Sequence, residues 1–302
     1  MRAGKLAPMG GAASGAGAVN TDFILTLSCP NRIGIVFAVA KFLFERGFNI
    51  TDSAQYDDIV TDRFFMRVAF SATQATMPID AIERDFAGLA GEFAMEWELV
   101  DVAIRARVVI FVSKFDHCLR DLLYRHSVGE LSIDIVAIGS NHRDAEKIAE
   151  SHDIPFHHLP ISKDTKQTQE LQFLDMVRAA KADLVVLARY MQVLSDRLCA
   201  QLPCPAINIH HSFLPSFRGA APYQQAYKRG VKVIGATAHY VTPELDEGPI
   251  IEQGVERVTH ALTPQDLAAV GRDIEKIVLA RAVKLHTERR ILLNSGKTVV
   301  FS

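Results

Sequence analysis

Asn208, His210 and the acidic loop Thr242 to Gly248 are the residues of this chain whose types and spacing bear on chemistry. Pro205-Ala206-Ile207 runs into Asn208-Ile209-His210-His211-Ser212. On an extended strand, side chains at i and i+2 share a face, so Asn208 and His210 point one way and His211 the other. An amide beside an imidazole can donate two hydrogen bonds to a carbonyl oxygen as negative charge develops on it. The imidazole also titrates near neutrality. The loop Thr242 to Gly248 carries Glu244, Asp246 and Glu247. Folded back over the histidine, it supplies a carboxylate that raises the imidazole pKa, and the pair can activate water. Spacing alone fits equally a satisfied polar residue at a strand end and a solvated turn.

The elements that must position these groups read as alternating strands and helices. Val108 to Val112, Ile133 to Ile138 and Leu184 to Leu187 are apolar runs, as expected of strands covered on both faces. Asp116 to His126, Arg143 to His152 and Glu170 to Ala180 read as helices between and around them, which predicts a parallel sheet with helices on both sides. Ligands of such sheets sit beyond the carboxyl ends of the strands, so the segments after Leu187 and Ile207 are where chemistry is expected. Pro222 opens a helix to Arg229, Val233 to Val241 reads as a strand, and a helix from about Pro264 to Glu288 precedes a short strand, Lys297 to Phe301.

Upstream the pattern differs. Phe23 to Leu27 reads as a strand, followed by the loop Cys29-Pro30-Asn31-Arg32. Ile33 to Glu45 carries Ile33, Phe37, Ala40 and Phe44 at helical spacing and stops at Gly47, a natural helix end. Phe48 to Tyr56 and Arg63 to Phe70 read as strands around a polar turn, Pro78 opens a helix to about Gly91, and Phe93 to Val102 closes as a strand. The order β-α-β-β-α-β is ferredoxin-like. The expected class is therefore α/β, with a ferredoxin-like unit at 21–103 and a Rossmann-like, mostly parallel unit at 104–302. Residues 1–20, rich in Ala and Gly, lack the apolar stretch of a signal peptide and read as a flexible leader.

Composition narrows the function classes. With 33 basic and 35 acidic residues the net charge is −2, no electrostatic footprint for nucleic acid. Apolar residues make up 49% and charged ones 23%, an ordinary globular balance. The run Ile33 to Phe44 is interrupted by Lys41 and falls short of the roughly 20 residues a membrane span needs. Cys29, Cys118, Cys199 and Cys204 form no CxxC pair, so neither a zinc site nor a disulfide framework is expected, and a reducing cytoplasm fits. His157-His158 and His210-His211 are adjacent pairs whose members face opposite ways on a strand, so no metal site is expected. His157 and His158 read as surface or capping residues.

The run Asn208-Ile209-His210-His211-Ser212-Phe213-Leu214-Pro215-Ser216-Phe217-Arg218-Gly219 closely resembles the Asn-x-His-x-Ser-Leu-Leu-Pro signature of the tetrahydrofolate-dependent formyltransferase fold. Gly235-Ala236-Thr237-Ala238-His239-Tyr240-Val241 with Leu245-Asp246-Glu247-Gly248-Pro249-Ile250-Ile251 matches that family's second motif. The N-terminal unit looks like an ACT domain, and this pairing resembles the formyltetrahydrofolate deformylases over residues 22–302. The resemblance implies hydrolysis of 10-formyltetrahydrofolate to formate and tetrahydrofolate, which feeds formate to purine synthesis and balances the one-carbon pool. It implies a folate substrate without a tightly bound cofactor. It carries Asn208 over as donor to the formyl oxygen, His210 as oxyanion stabiliser and proton shuttle, and Asp246 as the group that holds or deprotonates water. Which of His210 and Asp246 is the base stays open, because coupled groups titrate as a pair.

Leu187 to Ser195 resembles the loop that receives the pterin ring in that family, with Met191, Gln192 and Leu194 as contact positions. Ser113, His117 and Gly219 complete the expected substrate contacts. Glycinamide ribonucleotide formyltransferases carry a Gly-rich phosphate loop after the first strand of this unit. Here that place reads Val112-Ser113-Lys114-Phe115-Asp116-His117-Cys118-Leu119, without glycine and with an acid, which argues for water as acceptor. The alternatives are a formyltransferase to an amine and a non-enzymatic folate- or amino-acid-binding regulator. In the ACT-like unit, Asn31, Arg32 and Gly34 are the expected contacts of an amino-acid effector, and a homodimer or homotetramer is expected.

Overall fold

The computed structural model describes residues 22–72, 77–214 and 222–302. The expected leader and Gly219 lie outside them. The first unit comprises β1 (Phe23–Pro30), α1 (Ile35–Glu45), β2 (Phe48–Asp58), β3 (Arg63–Ala72), α2 (Ile79–Glu92) and β4 (Glu96–Asp101). Its sheet runs β2-β3-β1-β4, every pair antiparallel. One sheet face and both helices enclose an aromatic core in which Phe48 meets Phe70 edge-on and Phe86 meets both Phe42 and Trp97.

The helix stripe expected from Ile33, Phe37, Ala40 and Phe44 is not the buried one. α1 buries Ile35, Val39, Phe42 and Leu43, while Phe37 and Phe44 are 71% and 80% exposed. Two stripes of this helix satisfy the 3.6-residue period, and only packing decides between them. Gly34 caps α1 with a φ of 99°, a left-handed geometry that glycine adopts without steric cost.

The second unit follows with β5 (Ala106–Val112), α3 (His117–Ser127), β6 (Ile133–Ser140), α4 (Glu146–Glu150), β7 (Phe156–His158), α5 (Lys166–Ala179), β8 (Leu184–Leu187) and α6 (Asp196–Gln201). Then come β9 (Ala206–His210), α7 (Pro222–Arg229), β10 (Val233–Tyr240), β11 (Ile250–Arg257), α8 (Pro264–Thr287), β12 (Ile291–Asn294) and β13 (Lys297–Val300). The sheet order is β11-β10-β9-β8-β5-β6-β7. β7, β6, β5, β8 and β9 are parallel, and β10 and β11 add an antiparallel edge. The central strands are apolar because both faces are covered: Val108 to Val112 and Leu184 to Val186 are all fully buried. The strand order reverses at β5, flanked by β6 and β8, and a crevice opens beyond the carboxyl ends there.

Some elements differ from the expectations. The helix expected at Arg143 to His152 is only the short α4. His157 and His158 cap no helix but lie in the edge strand β7, paired with Gly139 and Ser140 of β6, where His157 is at the surface as expected. β11 was not anticipated, because Ile250 to Arg257 alternates too weakly to announce a strand.

α8 starts with a reciprocal cap between Thr263 and Asp266, a device that satisfies two orphan backbone donors. Its far end meets the first unit. The Arg67 guanidinium of β3, 4% exposed, donates to the Glu288 carbonyl at 3.1 Å and to Asp52 at 2.7 Å. Asn294 of β12 donates to Asp58 at 2.5 Å. The helix that walls the crevice is thus fastened at its other end to the four-stranded sheet.

Candidate active site

The crevice is a cavity of about 620 Å³ lined by the ends of β8 and β9, the loop after β10 and one face of α8. β9 carries Asn208 and His210 to its rim. Antiparallel pairing sets His239 of β10 opposite Asn208 and Thr237 opposite His210. Thr237 is fully buried; its hydroxyl donates to the Ser212 carbonyl and accepts from the Leu214 amide. Those bonds hold the chain leaving β9 and thereby the end of the strand.

The loop after β10 folds back over this rim. Gly248 makes that possible, because a Cβ there would lie 1.7 Å from the Tyr240 carbonyl oxygen. Asp246 takes a φ of 59°, unusual for a non-glycine residue and costly enough to persist only where surroundings enforce it. Its Oδ2 lies 3.2 Å from His210 Nδ1 and its Oδ1 3.7 Å from His239 Nε2. Burial acts to raise the Asp246 pKa, but the histidines beside it, His210 above all, outweigh it and hold the carboxyl well below its usual range. Asp246 is ionised at any physiological pH.

His239 Nδ1 donates to the Tyr240 carbonyl at 2.9 Å, which leaves Nε2 to accept the Asn208 amide N–H at 3.2 Å. Asn208 is therefore oriented from behind. With His210 Nδ1 turned to Asp246, its Nε2 is buried without a hydrogen-bond partner among the described residues. This nitrogen is free for a partner in the cavity. The three polar residues expected from the sequence do converge. His211 departs from expectation. It lies one residue past the strand, where alternation ends, and its ring stacks on His210 at 5.0 Å and lines the same cavity. Burial, Arg189 and His210 push its pKa down to about 4, so it stays neutral.

Met191, Gln192 and Leu194 also line the cavity. Ser113 does not. It sits 3% exposed behind the wall, donates to Asn141 at 2.7 Å, and accepts the Met191 amide at 3.0 Å. It braces the loop at Met191. His117 reaches the cavity, and its Nε2 is 2.8 Å from Glu275 of α8. Glu275 is 1% exposed and also accepts the Tyr223 hydroxyl at 2.5 Å. Gly271 makes room for that tyrosine, since a Cβ there would meet its hydroxyl at 2.0 Å.

The fold match to known proteins follows this geometry. The Formyl transferase family profile matches residues 106–283. A formyltetrahydrofolate deformylase of Corynebacterium sp. is 51% identical over 92% of this chain and 97% of its own. The crystal structure of the Burkholderia mallei formyltetrahydrofolate deformylase superposes with a TM-score of 0.89 at 54% identity, over 94% of this chain and 100% of that one.

The chain belongs to the formyltetrahydrofolate deformylase family. A phosphoribosylglycinamide formyltransferase from Anaplasma phagocytophilum, by contrast, covers 66% of this chain at a TM-score of 0.60 and 31% identity. What this deformylase-family chain has beyond the transferase fold is therefore about a third of its length.

One group of metal-ligating side chains occurs among the described residues: His117, Cys118 and Glu275, with donor atoms within 4.8 Å of one another. The donor set fits a cation poorly. Burial and the Glu275 charge push the Cys118 thiol well above its usual pKa, and the Arg189 guanidinium lies 3.3 Å from the carboxylate. Sequence reasoning missed His239, Arg189, Tyr223 and Glu275. For His239 the signal was available, since it stands in the second motif.

Proposed function

We infer that the chain hydrolyses 10-formyltetrahydrofolate to formate and tetrahydrofolate. The pterin occupies the arm lined by Met191, Gln192 and Leu194, which brings the formyl group to β9. Asn208 and His210 Nε2 donate to the formyl oxygen. Such preorganised donors act where charge develops in the transition state. A water held by Asp246 attacks the carbon, its proton passes to the Asp246–His210 pair, and N10 takes a proton as the C–N bond breaks. The observation that carries this reading is the unpartnered, buried His210 Nε2 backed by an ionised Asp246.

The test is incubation with 10-formyltetrahydrofolate alone. Stoichiometric formate and tetrahydrofolate are expected; release that depends on an added amine would make the chain a transferase.

We propose residues 104–302 as the catalytic unit and 21–103 as a regulatory unit of cytoplasmic enzyme. Asn31, Arg32 and Gly34 are its proposed amino-acid contacts. The Arg32 guanidinium lies over the Phe93 ring at 3.9 Å and pairs with Glu92 at 3.4 Å, a surface partner that an incoming carboxylate can displace. The exposed Ile33 just before α1 and the exposed Phe37 and Phe44 of α1 support a homo-oligomer, since clustered apolar surface marks interfaces. Calorimetry with glycine and methionine, and light scattering, test these points. No helix among the described residues is long and apolar enough to cross a membrane.

A further inference from the structure

The cavity that holds Asn208, His210 and Asp246 is also lined by a guanidinium with unused donors. Arg189 follows β8 with a φ of 63°, and its side chain is 9% exposed. Its Nε lies 3.3 Å from Glu275 Oε2. Neither Nε nor Nη1 makes a hydrogen bond among the described residues. The Glu275 carboxylate is already engaged by His117 and Tyr223. It neutralises the arginine without satisfying it. An unsatisfied buried donor is costly, more so when charged.

Arg189 is close to the chemistry. Its charge helps depress the His211 pKa, and His211 stacks on His210. The exposed Arg272 lines the same cavity. The reaction read above breaks the C–N10 bond, forms a C–O bond from water, returns one proton to N10 and leaves the carbon as formate with the second proton released. That anion arises beside the ionised Asp246, which repels it.

We propose that Arg189 is a small-oxyanion subsite that takes the formate product away from Asp246, with Arg272 next on the way to solvent. This rests on the hydrolytic reading. A guanidinium edge fits a planar oxyanion through charged hydrogen bonds.

Formate inhibition of hydrolysis at constant ionic strength, and calorimetric titration of sodium formate without substrate, test the subsite. Arg189→Gln should weaken formate by roughly tenfold to a hundredfold, the scale of a charged hydrogen bond, and Arg189→Lys less. Glu275→Gln leaves the guanidinium without its carboxylate and should tighten formate. An Arg189→Gln protein with unchanged Tm and the wild-type inhibition constant would overturn the proposal, as would wild-type that takes up no formate in either measurement. Should Arg189→Gln not fold, unchanged or weaker formate binding by Glu275→Gln overturns it equally. Arg189-dependent formate binding without hydrolysis would sink the functional reading and keep the subsite. Hydrolysis with Arg189-independent inhibition would do the reverse.

Discussion

Two carboxylates line the cavity and are used in different ways. Asp246 stands on a loop, is half-buried, and meets two histidines, one of which keeps a free nitrogen. Glu275 stands inside a helix, is 1% exposed, and is surrounded by His117, Tyr223 and Arg189. In both, burial pushes the pKa up and the partners push it further down, so both are held below the ordinary carboxylate range. The difference lies in what the partners have left to give. The histidine on Asp246 can pass a proton onward. Of the groups on Glu275, His117 and Tyr223 are tied to the same carboxylate, and Arg189 keeps unused donors that can hold an anion but pass no proton. A buried charge becomes proton chemistry only when its partner can pass a proton toward the cavity.

Substitutions that separate stability from rate sharpen this contrast. Glu275→Leu strands a buried guanidinium, so about 3–5 kcal/mol of stability should be lost, read as a fall in denaturation midpoint. Loss below about 1 kcal/mol would mean the network is dispensable. Asp246→Asn keeps the shape and removes the charge; turnover should drop by about 10²-fold or more, the scale of general acid–base catalysis, with the Tm nearly kept. Near-normal turnover would remove Asp246 from the mechanism. His239→Leu releases the Asn208 amide from behind. Its kcat/KM should fall about tenfold, short of the hundredfold that a 1 Å misplacement can cost, while KM for the folate changes little.

The smallest effect concerns pH. Burial and Arg289 push His286 down to about 4, where it accepts the Tyr240 hydroxyl at 2.7 Å as a neutral ring. A depressed imidazole contributes stability that is present above the unfolded value, about 6.5, and lost as pH falls toward 4. The loss reaches up to roughly 3 kcal/mol. Asp246 and Glu275 act in the same direction at lower pH. His286→Gln should flatten the slope of Tm between pH 6.5 and 4, and an unchanged slope would assign the acid lability elsewhere.

Much of the architecture is legible along the chain because apolar runs, Gly and Pro mark strands and their ends locally. The Asn208–His210 pair is legible for the same reason: i and i+2 share a face. What escaped is non-local. His239 matters only through its register opposite Asn208, which no local pattern states. Glu275 meets His117 from 158 residues away and Tyr223 from 52. Ser113 follows a strand at the crevice, a position that suggests a contact, yet it is buried with its hydroxyl bonded to Asn141 and to the Met191 amide. The helical spacing of Ile33, Phe37, Ala40 and Phe44 names a period without naming a face, and α1 buries its other stripe.

The central claim is that His210 and Asp246 act as one unit on the formyl group. Single-turnover formate release by His210→Gln, Asp246→Asn and the double variant tests it most directly. Residues acting as a unit are grossly non-additive, so the double variant should be no slower than the slower single one. Losses that multiply would contradict the claim, because each side chain would then be working alone.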